Sequence, residues 1–245
     1  SLKDTEEERD FLRFLPFKLT DGQKSSLVEI KEDLESDIKM SRLLQGDVGS
    51  GKTVVAQYAI VKAVASGYQA AFMAPTAILA EQNYVKLKAL TDRFGFNVAL
   101  LTSKIKKSER EKILSELEAG NIDVIVGTHS LLSDDVKFKN IGFVAIDEQH
   151  RFGVMQRRIL AEKTAGINLL LMSATPIPRS LALILYGEME ISEIRTMPEG
   201  RQKIETYALN ESQISSVYEF VLNEIKKGRQ VYFVCPLIEE SEKTN

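Results

Sequence analysis

GDVGSGKT, Gly46 to Thr53, is the stretch that most limits what this chain can become. It fits G-x-x-x-x-G-K-[ST]. A short apolar run, Leu43-Leu44, precedes it, and VVAQYAIVKAVAS follows with small and apolar residues at helical spacing. Strand, glycine loop and helix N-terminus make an anion site, because unpaired backbone amides and the helix dipole converge on a phosphate. Gly46, Gly49 and Gly51 admit positive φ and a close approach of the backbone, so the loop through Val48 and Ser50 can wrap the phosphates. Lys52 then reaches the β- and γ-phosphates of a nucleotide, and the Thr53 hydroxyl ligates Mg²⁺.

The context of the loop predicts the fold. From Arg42 onward, apolar strand-like runs at 42–44, 69–74, 97–101, 123–127, 143–147, 168–172 and 189–194 alternate with helical patterns at 53–66, 77–92, 107–119 and 154–164, and a shorter one near 180–186. Short continuous apolar strands between amphipathic helices indicate an α/β fold, a twisted parallel sheet of about seven strands with helices on both faces. Ligands of such sheets bind at the carboxyl ends of the strands, so motifs at strand ends are expected to share one site.

Upstream, the acidic residues 1–10 read as a frayed helix end or linker, and FLRFLPF (11–17) as a segment packed on the following domain or joining an upstream one. A helix then begins at Thr20, its N-cap, with Leu27, Ile30, Leu34 and Ile38 on one face. TMPEGR (196–201) breaks the rhythm and marks a boundary. The expected organisation is a linker at 1–17, a nucleotide-binding domain at 18–198 and the start of a second domain at 199–245. That last part reads as strand 204–209, helix 212–227 and strand 230–235, a β–α–β unit with exposed edges that is expected to be cut short.

Composition excludes several classes. Hydrophobic residues at 44% and charged residues at 27% describe a globular domain, and no apolar run approaches membrane-spanning length. The single cysteine, Cys235, lies in the apolar run VYFVC and is expected to fill a core in a reducing cytoplasm. A net charge of −3 argues against a protein that coats nucleic acid electrostatically, though not against a motor gripping a few phosphates through amides and hydroxyls.

The second motif is FVAIDEQH, Phe143 to His150. A buried strand ending in two carboxylates is costly unless they manage a cation or a proton. Asp147 suits Mg²⁺ through water, and Glu148 suits the group that orients and deprotonates an attacking water. The plainer alternative is that Asp147 caps the next turn.

GDVGSGKT, MAPTAILAEQ, VGTHSLL, DEQHRFG and SATPIPR, in this order, resemble the helicase motifs of superfamily 2, and more narrowly those of bacterial helicases acting on branched DNA. The likeness runs from Leu15 to about Glu240. Translocases that couple transcription to repair are cousins. Their stretches more typically read DEEHRFG and TATPIPR, so Gln149 and Ser173 favour the branched-DNA group.

This resemblance implies a RecA-like domain that binds ATP and Mg²⁺ and works on branched or duplex DNA as a monomer. It implies partnership with a second RecA-like domain, which supplies arginines to the γ-phosphate, and with an N-terminal wedge domain. Alone, this stretch is expected to bind nucleotide weakly and turn it over slowly. The resemblance gives Gln23 the adenine, with Phe17 packing on the base; otherwise Gln23 is a solvated helix-start residue. It gives Pro75-Thr76 and Gly127-Thr128 a DNA phosphate, although the same threonines serve as plain N-caps. Ser173 and Thr175 are expected to bond the carboxylate of Asp147 or Glu148 and pass on the nucleotide state, stiffened by Pro176 and Pro178, unless the stretch is only a proline-rich turn. His150 joins that coupling and His129 reads as a turn residue. Lys104, Lys106, Lys107, Arg110 and Lys112 alternate with acids as on a solvated face, with a DNA-facing role as the alternative; Arg151, Arg157 and Arg158 read either way. A non-motor, nucleotide-gated interaction module is the competing class.

Overall fold

Side chains alternate across one sheet, and that alternation organises the first part of the chain. The computed structural model describes residues 2, 5–148, 166–175, 189–198 and 204–235, and the chain divides into two units, Ser1–Arg201 and Gln202–Asn245. In the first unit lie strands β1 (Ser41–Gly46), β2 (Gln69–Met73), β3 (Val98–Leu101), β4 (Val124–Gly127), β5 (Ile141–Ile146), β6 (Asn168–Ser173) and β7 (Glu190–Ile194). They form one seven-stranded sheet in the order β3-β4-β2-β5-β6-β1-β7, and every pairing is parallel. Each apolar run of the sequence forms its strand, with ends displaced by no more than about two residues.

Leu44, Ala70, Phe72, Val126, Ala145 and Met172 point to one face. Their neighbours Leu43, Ala71, Met73, Ile125, Val144 and Leu171 point to the other. This is the period of two that a pleated strand imposes. Helices α3 (Lys52–Ala65) and α4 (Ala77–Thr91) cover the first face. Leu117 of α5 (Lys107–Ala119) packs into the second core. Two earlier helices, α1 (Glu6–Phe14) and α2 (Asp21–Glu35), lie against α3. Helix α3 is therefore enclosed by the sheet on one side and by helices on the other. Its apolar residues run all round it rather than along a stripe, as a buried helix requires.

Three expectations need correcting in this layer. Residues 6–14 are an ordered helix, not a frayed end or linker: Phe11 is fully buried against Tyr58, with ring centroids 6.0 Å apart, and Glu8 is buried as well. The following apolar segment is only partly covered, since Phe14 and Phe17 remain exposed. Helix α2 ends at Glu35, because Ser36 turns extended (φ −71°, ψ 159°), so Ile38 lies beyond the helix and is 81% exposed.

In the second unit, α6 (Ile214–Lys226) follows a short 3₁₀ turn, close to the predicted helix. The flanking strands expected at 204–209 and 230–235 do not form among the described residues. A strand exists only through a ladder partner, and alternating apolar residues do not supply one. Cys235, expected in a core, is exposed for the same reason. The predicted helices at 154–164 and 180–186, and His150, Arg151, Arg157, Arg158, Pro176 and Pro178, lie outside the described residues.

Candidate nucleotide-binding site

Because all the strands are parallel, they deliver their following residues to the same rim. Strands β1, β6 and β5 are neighbours, and their registers pair Gln45 with Ser173 and Ile146 with Leu171. The phosphate loop, Ser173 and Asp147 thus emerge side by side, about 5 Å per strand apart. A cleft of about 1050 Å³ opens there, bounded by Gly49, Gly51, Lys52, Thr53, Asp147 and Glu148.

The loop has the conformation its glycines allow. Gly49 and Gly51 sit at φ 80° and 92°. A Cβ on Gly46 would fall 2.5 Å from Ser50 Oγ, and one on Gly51 would fall 2.1 Å from Gln23 Nε2. Ser50 Oγ is buried with no hydrogen-bond partner among the described residues. Helix α3 starts at Lys52 with no side-chain cap; Val54 N donates to Gly51 O (3.2 Å), and the amides of Lys52 and Thr53 before it are placed to meet an anion. Lys52 is 8% exposed, and its ammonium donates to Gly46 O (2.6 Å) and Asp47 O (3.2 Å). Burial lowers its pKa below the ordinary lysine value, against the opposing attraction of Glu148, Asp147 and Asp47. The carboxylates of β5's end and the ammonium of α3 therefore share one electrostatic site. For Mg²⁺, Thr53 and Asp147 line the same cleft and carry a hydroxyl and a carboxylate, both hard oxygen donors. They suit an ion that completes its shell with phosphate and water.

The lowered pKa has a measurable consequence. A phosphate favours the charged form of Lys52, so nucleotide affinity is full below the folded pKa and falls as pH climbs through it. Titration calorimetry of ADP binding across alkaline pH should show this decline beginning below the usual lysine range. Lys52→Arg, charged throughout, should flatten it; an unchanged profile in that variant assigns the titration elsewhere.

Gln23 is buried at 2% exposure, not solvated. Its Oε1 accepts from Thr20 N (2.9 Å) while Thr20 Oγ1 accepts from Gln23 N (3.3 Å), a reciprocal capping box at the start of α2. Its Nε2 donates to Ser50 O (2.8 Å), tying this cap to the phosphate loop. Phe17 and Val48 line the cleft while remaining largely exposed.

Ser173 and Thr175 do not bond the carboxylates as expected. Their hydroxyls meet each other at 3.0 Å, and Ser173 Oγ accepts from Thr175 N at 3.2 Å. A hydroxyl that closes a turn on its own backbone two residues on is the nearer partner. Thr76 is exposed and caps α4 by accepting from Leu79 N (3.3 Å). Thr128 is buried, with its hydroxyl 3.3 Å from Ser130 Oγ. Gly127 is glycine for packing: a Cβ there would fall 2.5 Å from Leu101 O. Arg110 is held by Asp135 (2.8 Å) and Lys104 by Glu81 (3.5 Å), as on a solvated face.

Sequence reading missed several residues of the wall. Gln57, one helical turn after Thr53, was detectable from spacing alone. Lys86 of α4 and Thr196, Met197 and Pro198 after β7 carry no local signal, because only the sheet order brings them here.

The model of the DEAD/DEAH box helicases matches residues 20–184. The chain belongs to that family. An ATP-dependent DNA helicase RecG from Aquifex aeolicus is 53% identical over 239 residues, 97% of this chain but 30% of its own length. The Bacillus subtilis RecG is 51% identical over 238 residues, 97% of this chain and 35% of its own length. A solved structure of RecG bound to a three-way DNA junction superposes with a TM-score of 0.82 at 46% identity, covering 97% of this chain and 32% of the other. The chain thus spans about a third of the length of the relatives it matches. Its fold is that of a RecA-like helicase domain, as the seven-stranded order and the loop after β1 require. No helix among the described residues is long and apolar enough to cross a membrane.

Proposed function

We propose that this helicase domain binds Mg·ATP in the cleft at the carboxyl rim and hydrolyses it to drive movement on duplex DNA and remodelling of branched DNA. One observation carries the reading: Lys52 and Thr53 from α3 and Asp147 and Glu148 from the end of β5 border a single cleft, within each other's electrostatic reach. Lys52 and the amides of Val48 through Thr53 hold the phosphates. Thr53 and Asp147 hold Mg²⁺, which neutralises phosphate charge. Glu148 orients the attacking water and takes its proton. Gln23 and Phe17 border the place of the adenine. Pro75-Thr76 and Gly127-Thr128, on the same rim, meet DNA phosphates through backbone amides and hydroxyls. Ser173 and Thr175, whose hydroxyls bond each other rather than the carboxylates, carry the nucleotide state toward DNA through the turn they close, together with His150. Work on chromosomal DNA by the longer protein, as a monomer in the cytoplasm with a second RecA-like domain and a wedge domain, fits this reading.

The test is ATP turnover with and without a three-way DNA junction, comparing this chain with a longer protein of RecG length. An arginine supplied from outside the first domain contributes on the order of 10³–10⁵ in rate. Slow turnover by this chain, and strong junction-stimulated turnover by the longer protein, are expected. Full stimulated turnover by this chain alone would overturn the shared-site part of the reading. Absence of hydrolysis in the longer protein would overturn the whole.

A further inference from the structure

We infer that Thr196 is a positioning residue that carries the state of the phosphate loop into the segment leading out of the first unit, an inference that rests on the nucleotide reading of the cleft. Thr196 follows β7 by two residues, and the second unit begins at Gln202. Its Oγ1 donates to Thr20 Oγ1 (2.8 Å) and accepts from Gly22 N (3.2 Å), partners 176 and 174 residues away in sequence. The approach is close because Gly22 has no side chain: a Cβ there would fall 2.8 Å from Thr196 Oγ1. Thr196 therefore satisfies an amide in the first turn of α2 that Thr20, occupied with Gln23 N, does not reach.

From there the path to the loop is continuous. Thr20 N is held by Gln23 Oε1 (2.9 Å) and Ser50 O by Gln23 Nε2 (2.8 Å). The Gln23 amide bears directly on the Cα of Gly51. A second, independent path closes the circuit. Strand β7 pairs with β1 so that Ile194 stands opposite Gly46, and a Cβ on Gly46 would fall 3.2 Å from the Ile194 side chain. Both ends of the phosphate loop are thus tied to the residues around Thr196, one through a strand pair and one through Gln23. A phosphate seated on the loop fixes the Ser50-Gly51 peptide. Gln23 cannot shift without releasing Thr20, so the order reaches Thr196. The bonds at Thr196 are exposed, where a hydrogen bond adds little to global stability. Their effect lies in coupling rather than in holding the fold.

Amide hydrogen exchange at Arg195–Met197, with and without Mg·ADP at concentrations saturating each variant, tests this. In the unsubstituted chain ADP is expected to slow exchange there by roughly tenfold. Thr196→Val should lose that ADP-dependent slowing, and Thr196→Ser, which keeps the hydroxyl, should regain it. A purely structural role would alter exchange equally with and without ADP. Slowing retained in Thr196→Val, or absent from the unsubstituted chain although calorimetry shows ADP bound, overturns the relay alone. No ADP binding at all overturns the cleft reading and the relay together.

Discussion

Glu148→Gln is expected to lower ATP turnover by about 10²–10⁴-fold while leaving nucleotide affinity within about 1 kcal/mol of the unsubstituted chain. Glutamine keeps the shape and the hydrogen-bonding reach of the side chain and removes its basicity. Glu148 borders the cleft and attracts the Lys52 ammonium through space. It is also the only non-glycine residue among those described with a positive φ, 50°. Such a conformation costs on the order of 1–3 kcal/mol and persists where the surroundings over-determine it. The strain belongs to the backbone and is common to Glu and Gln, so the variant should melt at the same temperature. Lost turnover with retained ADP binding and unchanged melting assigns the general base. Unchanged turnover would make Glu148 a bystander and give the proton of the attacking water to another group.

Some of this site was legible because its signals are local. GDVGSGKT carries its own loop geometry, and Thr20 is the N-cap of α2 that the sequence indicates. The parallel sheet followed from continuous apolar runs between helices, and once it is parallel the strand ends must share a rim. What was not legible depends on partners far apart in sequence. Gln23 was read for its exposed chemistry, whereas its amide is engaged with Ser50, 27 residues on. Thr196 was absorbed into a proline-and-glycine boundary, because nothing near it announces Gly22. The runs at 204–209 and 230–235 show the opposite error: they have the composition of strands, but pairing is not written in composition. Gly127 was read for DNA alone, and a glycine ending an apolar strand signals close backbone approach as well. One signal was present and unread. Lys62 sits inside VVAQYAIVKAVA, a helix apolar on all sides, and a lysine there demands buried carboxylates. The acidic N-terminal segment supplies one.

Lys62→Met is expected to destabilise the first unit by about 3–5 kcal/mol, lowering its melting temperature by on the order of 10 °C. The Lys62 side chain is 0% exposed and bonds Glu8 at 2.6 Å and Glu35 at 2.7 Å. Glu8 is 4% exposed, receives the Tyr58 hydroxyl and is also paired with Lys31 at 3.0 Å. Removing the ammonium takes the shortest ion pair from the buried Glu8 carboxylate, which loosens α1 from α3. Glu8→Gln in the same chain removes the stranded charge, so the double variant should recover much of the loss. Acid adds a second readout. Burial raises the pKa of Glu35, but its bonds to Lys62 and Lys31 outweigh this and hold it below the ordinary value. A depressed carboxylate stabilises the fold above its unfolded pKa, and that share is lost as pH falls through the folded one. Urea unfolding at falling pH should therefore narrow the gap between Lys62→Met and the unsubstituted chain. A single variant within about 1 kcal/mol of the unsubstituted chain at neutral pH would mean that the cluster does not hold α1 in place.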